Sequence, residues 1–256
     1  MATEQLTFEQ PLNENIRMCL RLEHLFQQVN YHVDGKSPWD SRATLDAILD
    51  TLNVIDRPDL KNKLSQILHQ YSASLGNLEK SPGVDKAKLN KTLQQISNLI
   101  TAFHSSKGKI AQPLRENEFL ALINQRANTP AGTCGFNLAP YHLWLEQTAE
   151  IRIKSLKTWA EPFDLVQEAV SLILKITRDS TNFKPNTAIA GFYQETLDTT
   201  LAYQMIRIRT SKKEKIYPEI SVGRHRLSIH FFDLNQDGHS HQAKQDVSFE
   251  LALCKL

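Results

Sequence analysis

Arg17 and Arg21, one helical turn apart and continued along the same line by His24 and Gln28, are the residues of this sequence best suited to chemistry. Guanidinium groups spaced in this way offer forked N–H donors to carboxylates, so the chemistry they serve is the binding of an anion rather than the making of a bond. On an exposed helix, like charges at i and i+4 repel by about 0.2–0.5 kcal/mol. The folding of the helix alone does not ask for such a pair. An acidic residue elsewhere in the fold or an anionic partner explains it, and a solvated charged face is the plain alternative.

Other groups carry weaker signals. Cys134, between Thr133 and Gly135 with His142 eight residues on, has the residue types of a thiol nucleophile and base. A small buried thiol is the simpler account. Asp233-Leu234-Asn235-Gln236-Asp237-Gly238 matches the opening of a calcium loop, but Lys244 stands at the twelfth position, where a bidentate acid is needed. A hairpin turn is expected there, and His239 and His241 are too few to hold a metal. Nine glycines and no phosphate-binding or nucleophile-elbow motif leave catalysis without positive support. No catalytic residue, metal ligand or cofactor is assigned. Further basic residues are Arg57, Arg115, Arg126, Lys212, Lys213 and Lys215. In addition, Arg224, Arg226, Ser228 and His230 alternate along one strand face.

The elements that position these residues follow from periodicity. Asn13 caps a helix whose Leu12, Ile16, Cys19, Leu22, Phe26 and Val29 cluster opposite the arginine stripe. A loop over 31–40 leads to a second helix capped by Ser41 and ended at Pro58. A helix over 59–79 and another carrying the seam Leu89, Leu93, Ile96, Ile100 and Phe103, each about 30 Å long, form an antiparallel hairpin around a break at Ser81-Pro82-Gly83. A helix over 115–127, an extended segment over 134–144 turning at Pro140, a helix over 148–159 and an apolar helix opened by Pro162 follow. Beyond Asp179 the period falls to two. Tyr203 and Met205 alternate out of phase with Ile206 and Ile208, which marks a bulge; Ile220 and Val222 face Leu227, Ile229 and Phe231 across Gly223; Val247 to Leu253 alternates. The expected class is α+β. A helical domain (1–127 with 147–180), bearing the long hairpin, is followed by an antiparallel β-domain (128–146 with 181–256).

Composition narrows the function classes. Thirty Lys and Arg against 28 Asp and Glu in 256 residues are too evenly balanced for a general nucleic-acid binder. No apolar run is long enough for a membrane span, and MATEQLTFEQ has neither the basic start nor the apolar core of a signal peptide. Cys19, Cys134 and Cys254, odd in number and far apart, are expected as reduced thiols of a cytoplasmic protein.

Several segments taken in order carry a resemblance: FEQPLNENIRMCLRLE, LRENEFLAL, the Pro-Ala-Gly-Thr-Cys-Gly-Phe-Asn-Leu turn with HLWL, GFYQ, YPEIS and the terminal FELALC. Together they resemble the ZapD family of bacterial cell-division proteins over essentially the whole chain. The resemblance implies a homodimer of helical-plus-β subunits, cytoplasmic and acting at the mid-cell division ring. There it would bind the C-terminal tail of the tubulin-like GTPase FtsZ and cross-link FtsZ filaments into bundles, without catalysis, cofactor, nucleic acid or membrane. It further implies a positively charged pocket between the two domains. Arg17 and Arg21 match family arginines of that pocket, Arg57 matches one at a helix junction, and Arg115, Arg126 and His142 match basic positions of the central segment. Glu118 departs from the pattern, standing where the family can carry arginine. Two other functions are compatible with the residues: a nucleic-acid binder using the 224–230 strand face with 212–215, and a small-molecule enzyme centred on Cys134 or His142.

Overall fold

The computed structural model describes residues 4–256 apart from 57–58, 81–82, 107 and 235–238. In chain order its elements are β1 (Gln5–Pro11), α1 (Glu14–His32), α2 (Pro38–Ile55), α3 (Leu60–Asn77), α4 (Lys86–Ser105), α5 (Gln112–Arg115), α6 (Glu118–Ala127), α7 (Ala139–Leu145), α8 (Ala149–Ala160) and α9 (Asp164–Asp179). The strands β2 (Lys184–Ala188), β3 (Phe192–Thr196), β4 (Tyr203–Ser211), β5 (Ile216–Val222), β6 (Arg226–Leu234), β7 (Ser240–Gln242) and β8 (Val247–Lys255) follow. The α+β class, the helical hairpin and the antiparallel C-terminal β part are all present. The chain divides into two compact units, Met1–Arg17 with Leu174–Leu256, and Met18–Ile173.

In the helical unit, polar side chains start the helices and apolar stripes seat them. Ser37 caps α2 and Asp40 returns the bond, so this helix begins at Pro38, not at Ser41, and α1 and α2 shorten the expected 31–40 loop to 33–37. Proline's fixed φ suits the first helical turn. Leu45, Ile48, Leu52 and Ile55 of α2 are buried, as are Leu60, Leu64, Ile67 and Tyr71 of α3 and Leu89, Ile96, Leu99 and Phe103 of α4. The helices α3 and α4 pack on each other, and Lys61 Nζ at the start of one reaches the Ser106 carbonyl past the end of the other, 2.5 Å away. That contact makes the hairpin antiparallel. The break expected at 81–83 falls largely outside the described residues, and so does Pro58.

Two segments differ from expectation. The 115–127 helix is interrupted: α5 ends at Arg115, and Asn117 starts α6 afresh by accepting from the Leu120 N–H at 3.1 Å. The segment 134–144, expected to be extended, contains α7, with Pro140 in its first turn. Its Tyr141 and Trp144 pack with Phe119 and Trp159 in an aromatic cluster with ring centroids 5.6–6.4 Å apart. That burial outweighs the weak helix propensity of so short a segment. Arg152 of α8 is buried and donates to Ser41 Oγ (3.0 Å), to the carbonyls of Leu145 (3.1 Å) and Lys36 (2.7 Å), and to that of Gln147. Val166, Ala169, Val170, Ile173 and Leu174 bury one face of α9, while Asp164, Glu168, Ser171, Lys175 and Asp179 leave the other face exposed, so this helix is amphipathic rather than apolar on several sides.

The other unit is a β-sandwich. One antiparallel sheet has the order β1-β4-β8-β2; the other has β3-β6-β5, with β7 also on β6. The two face each other through Phe231 and Phe249, whose rings lie 5.0 Å apart, and through Ile206, Ile208, Leu227, Ile229 and Val247. The β5–β6 hairpin has the expected register, Ile220 opposite Ile229 and Val222 opposite Leu227. The β4–β8 ladder slips between Tyr203 and Met205, the bulge read from the phase change. Four strands were not anticipated: β1, β2, β3 and β7 are three to seven residues long with little apolar alternation. Gly191, at φ +72°, sits where a Cβ would come within 2.5 Å of the Ala243 carbonyl, so glycine is required there.

On the outer surface of the first sheet, Glu9 receives Arg178 Nε at 2.9 Å and Nη2 at 2.7 Å, and Arg207 Nε at 2.9 Å. Burial alone would raise the Glu9 carboxyl, but the two guanidiniums outweigh it and hold the group below the usual carboxylate range. Arg209 pairs with Glu250 at 3.1 Å and stacks on Phe183.

Candidate functional site

The arginine stripe is set by the way α1 starts and by what it buries. Asn13 Oδ1 accepts from the Ile16 N–H at 2.9 Å, while its amide donates to Gln204 Oε1 at 2.8 Å. That fixes the first turn. Ile16, Cys19, Leu22, Phe26 and Val29 are then buried, each large apolar side chain contributing roughly 1.5–3 kcal/mol. With that face committed, Arg21, His24 and Gln28 are left exposed and Arg17 half-exposed on the other side.

The two arginines differ in their surroundings. Arg17 Nε lies 3.4 Å from Glu14 Oε2, an i,i+3 pair with both side chains about half exposed. Arg21, one turn on, has no ion pair or hydrogen bond among the described residues. Arg17 thus has a partner that the stripe alone did not suggest, although the i,i+3 spacing of Glu14 was visible in the sequence. A surface pair of this kind is worth little and is screened by salt, so both guanidiniums remain available to an acidic ligand.

The remaining candidates are distributed over separate helices. Arg115 is mostly buried: Nη1 pairs with Asp56 at the C-terminal end of α2, Nη2 lies 3.5 Å from the Ile110 carbonyl, and Nε is buried without an acceptor. Its charge is matched within the fold, an arrangement invisible in sequence because Asp56 is 59 positions away. Arg126, in the last turn of α6, is exposed. His142 is exposed on α7, with Nδ1 4.0 Å from Glu146 and its ring against Gly135, where a Cβ would come within 3.3 Å. Arg57 lies outside the described residues. Glu118 opens α6, where a negative charge suits the helix dipole.

For the enzyme alternative, Cys134 Sγ accepts from Asn137 Nδ2 at 3.2 Å. Cys19 and Cys254 are free and buried. Burial and the charge of Glu23 push the Cys19 thiol up to about 12, and burial also raises Cys254, opposite to what a nucleophile needs. Among the described residues, no group of three or more His, Cys, Asp or Glu side chains could hold a metal ion. Nor is any helix among them long and apolar enough to cross a membrane.

A helical unit with a long hairpin, an antiparallel sandwich made from the two ends of the chain, and a cationic stripe on the first helix define an α+β protein of the cell-division class. Residues 20–230 match the model of the ZapD family, described as cell division proteins, and the chain belongs to that family. The cell division protein ZapD of Coxiella burnetii is 43% identical over 258 residues, covering the whole of both chains. Those of Methylococcus capsulatus and Azoarcus are 34% and 35% identical, each over 98% of this chain and 99% and 100% of the relative. The protein's role is in cell division.

Proposed function

We propose that this protein is a non-enzymatic cell-division factor that binds the C-terminal tail of FtsZ and, as a cytoplasmic homodimer at the mid-cell ring, cross-links FtsZ filaments into bundles. Membership of the ZapD family supports the setting. The observation that carries the chemistry is the stripe on α1, where exposed Arg21, with no ion pair among the described residues, lies one turn beyond half-exposed Arg17. Arg17 and Arg21 contribute most, and Arg57, Arg115, Arg126 and His142 contribute less. Guanidiniums hold carboxylates by charge-assisted, often forked hydrogen bonds. A disordered tail loses entropy on ordering and so binds weakly at one site. Two sites on one dimer compensate through effective concentration when their targets repeat along a filament. Bundling then needs no catalysis.

The test is co-sedimentation of the full-length protein with FtsZ polymers, with and without the FtsZ tail. Arg17→Glu with Arg21→Glu abolishes pelleting while the far-UV circular dichroism and melting temperature stay unchanged, and wild-type pelleting falls as salt rises. Undiminished pelleting by the double variant refutes the assignment. Sedimentation velocity that finds only monomer refutes the cross-linking mechanism.

A further inference from the structure

Glu14 heads the same stripe as Arg17, Arg21, His24 and Gln28: at 100° per residue it falls within a turn-spaced line with them. It is also the one acid whose pairing with the two α1 arginines is seen among the described residues, at 3.4 Å from Arg17. We infer that Glu14 is a built-in competitor that occupies Arg17 until an acidic ligand displaces it, so that it sets how tightly the tail is held; this rests on the tail-binding function proposed above.

Three features make the displacement easy. The side chains of Arg17 and Glu14 are 43% and 55% exposed, so breaking the pair returns both to water rather than stranding a buried charge. Glu14 lies in the first turn of α1, where the helix dipole continues to favour a carboxylate after Arg17 has left it. Arg21 is seven residues further on, about 10 Å along the axis, beyond the reach of Glu14. An incoming carboxylate therefore engages Arg21 without competition and meets it only at Arg17, where Glu14 must be exchanged and also repels the newcomer. Affinity is held down at one guanidinium while access to the other stays open. That combination suits a cross-linker whose individual contacts must be made and released along a filament.

The experiment is Glu14→Gln in the full-length protein, with binding of a fluorescent FtsZ C-terminal-tail peptide followed by anisotropy at about 50 mM salt. The variant binds about two- to fivefold more tightly, the range expected from the worth of an exposed pair. The gain vanishes in an Arg17→Gln background and fades in high salt. Equal or weaker binding by Glu14→Gln overturns the proposal, and so does a gain of the same size in the Arg17→Gln background, which would reflect net charge alone. If Glu14→Gln is neutral but Arg17→Glu with Arg21→Glu loses the peptide, only the competitor role falls. A peptide held equally by wild type and the double arginine variant, or by neither, overturns both the site and the competitor.

Discussion

Replacing Glu9 by Gln removes the charge at the centre of a three-residue hub and leaves its shape. The side chains of Glu9, Arg178 and Arg207 are 17%, 25% and 16% exposed, so solvent screens them only in part. Removing one partner from a fully buried ion pair costs about 3–5 kcal/mol. Here the residual exposure and the one oxygen that Gln retains reduce the expected loss to about 2–4 kcal/mol. At roughly 2–4 °C per kcal/mol for a chain of this size, the melting temperature falls by roughly 5–15 °C. Its pH dependence supplies an internal check. The carboxyl is held below its ordinary value in the folded protein. Its contribution is therefore complete above the unfolded carboxyl value and is lost as pH falls through the lower folded one. Urea titrations of wild type and Glu9→Gln should separate at pH 7 and draw together as the pH falls below the unfolded carboxyl value, meeting only once it has also passed the lowered folded one. A gap below about 1 kcal/mol at pH 7, the worth of an exposed pair, or one that persists unchanged in acid, refutes the view that this hub pins β1 to β4 and the end of α9.

Thiol accessibility gives a second test: at pH 8 the native protein should react quickly with a thiol reagent at Cys134 alone, and at all three cysteines in denaturant, because Cys19 and Cys254 are buried and raised. A second fast thiol in the native state contradicts that burial. Arg152→Lys should destabilise the helical unit by about 2–3 kcal/mol in urea titrations, because one ammonium cannot reach Ser41, Lys36 and the end of α7 together. A loss below 0.5 kcal/mol, the size of an ordinary surface change, shows the network to be dispensable.

What the sequence foretold depended on local rules. The Asn13 cap, the apolar face of α1, the hairpin of α3 and α4 and the β5–β6 register rest on contacts made within an element or across one turn. Periodicity and capping report those directly. Ser37, not Ser41, begins α2 because Pro38 sits favourably in a first turn and Asp40 completes a reciprocal cap, a pairing concealed when 31–40 is read as loop. The helix α7 escaped because seven residues around Pro140 say little alone; Phe119 and Trp159, distant in sequence, supply the aromatic packing that holds it. Strands β1, β2 and β3 escaped because they lean on partners far along the chain. At the candidate site the stripe was legible, but the Arg115–Asp56 pair was not, since nothing local links two residues on different helices.

The sandwich is assembled from the first and last parts of the chain, and this orders events during synthesis. Among the described strands β1 pairs with β4 alone, whose residues follow the whole helical unit. At 5–20 residues per second, β1 waits roughly 10–40 s on the ribosome for its ladder. Throughout that time it is an open edge, the kind of segment that recruits wrong neighbours. QLTFEQP is well fitted to the delay: its glutamines and glutamate dilute the apolar content, and Pro11 removes a donor. A nascent chain halted after α9 should therefore present a finished helical unit and an N-terminal strand without its ladder, which joins the sandwich only after β4 has been made.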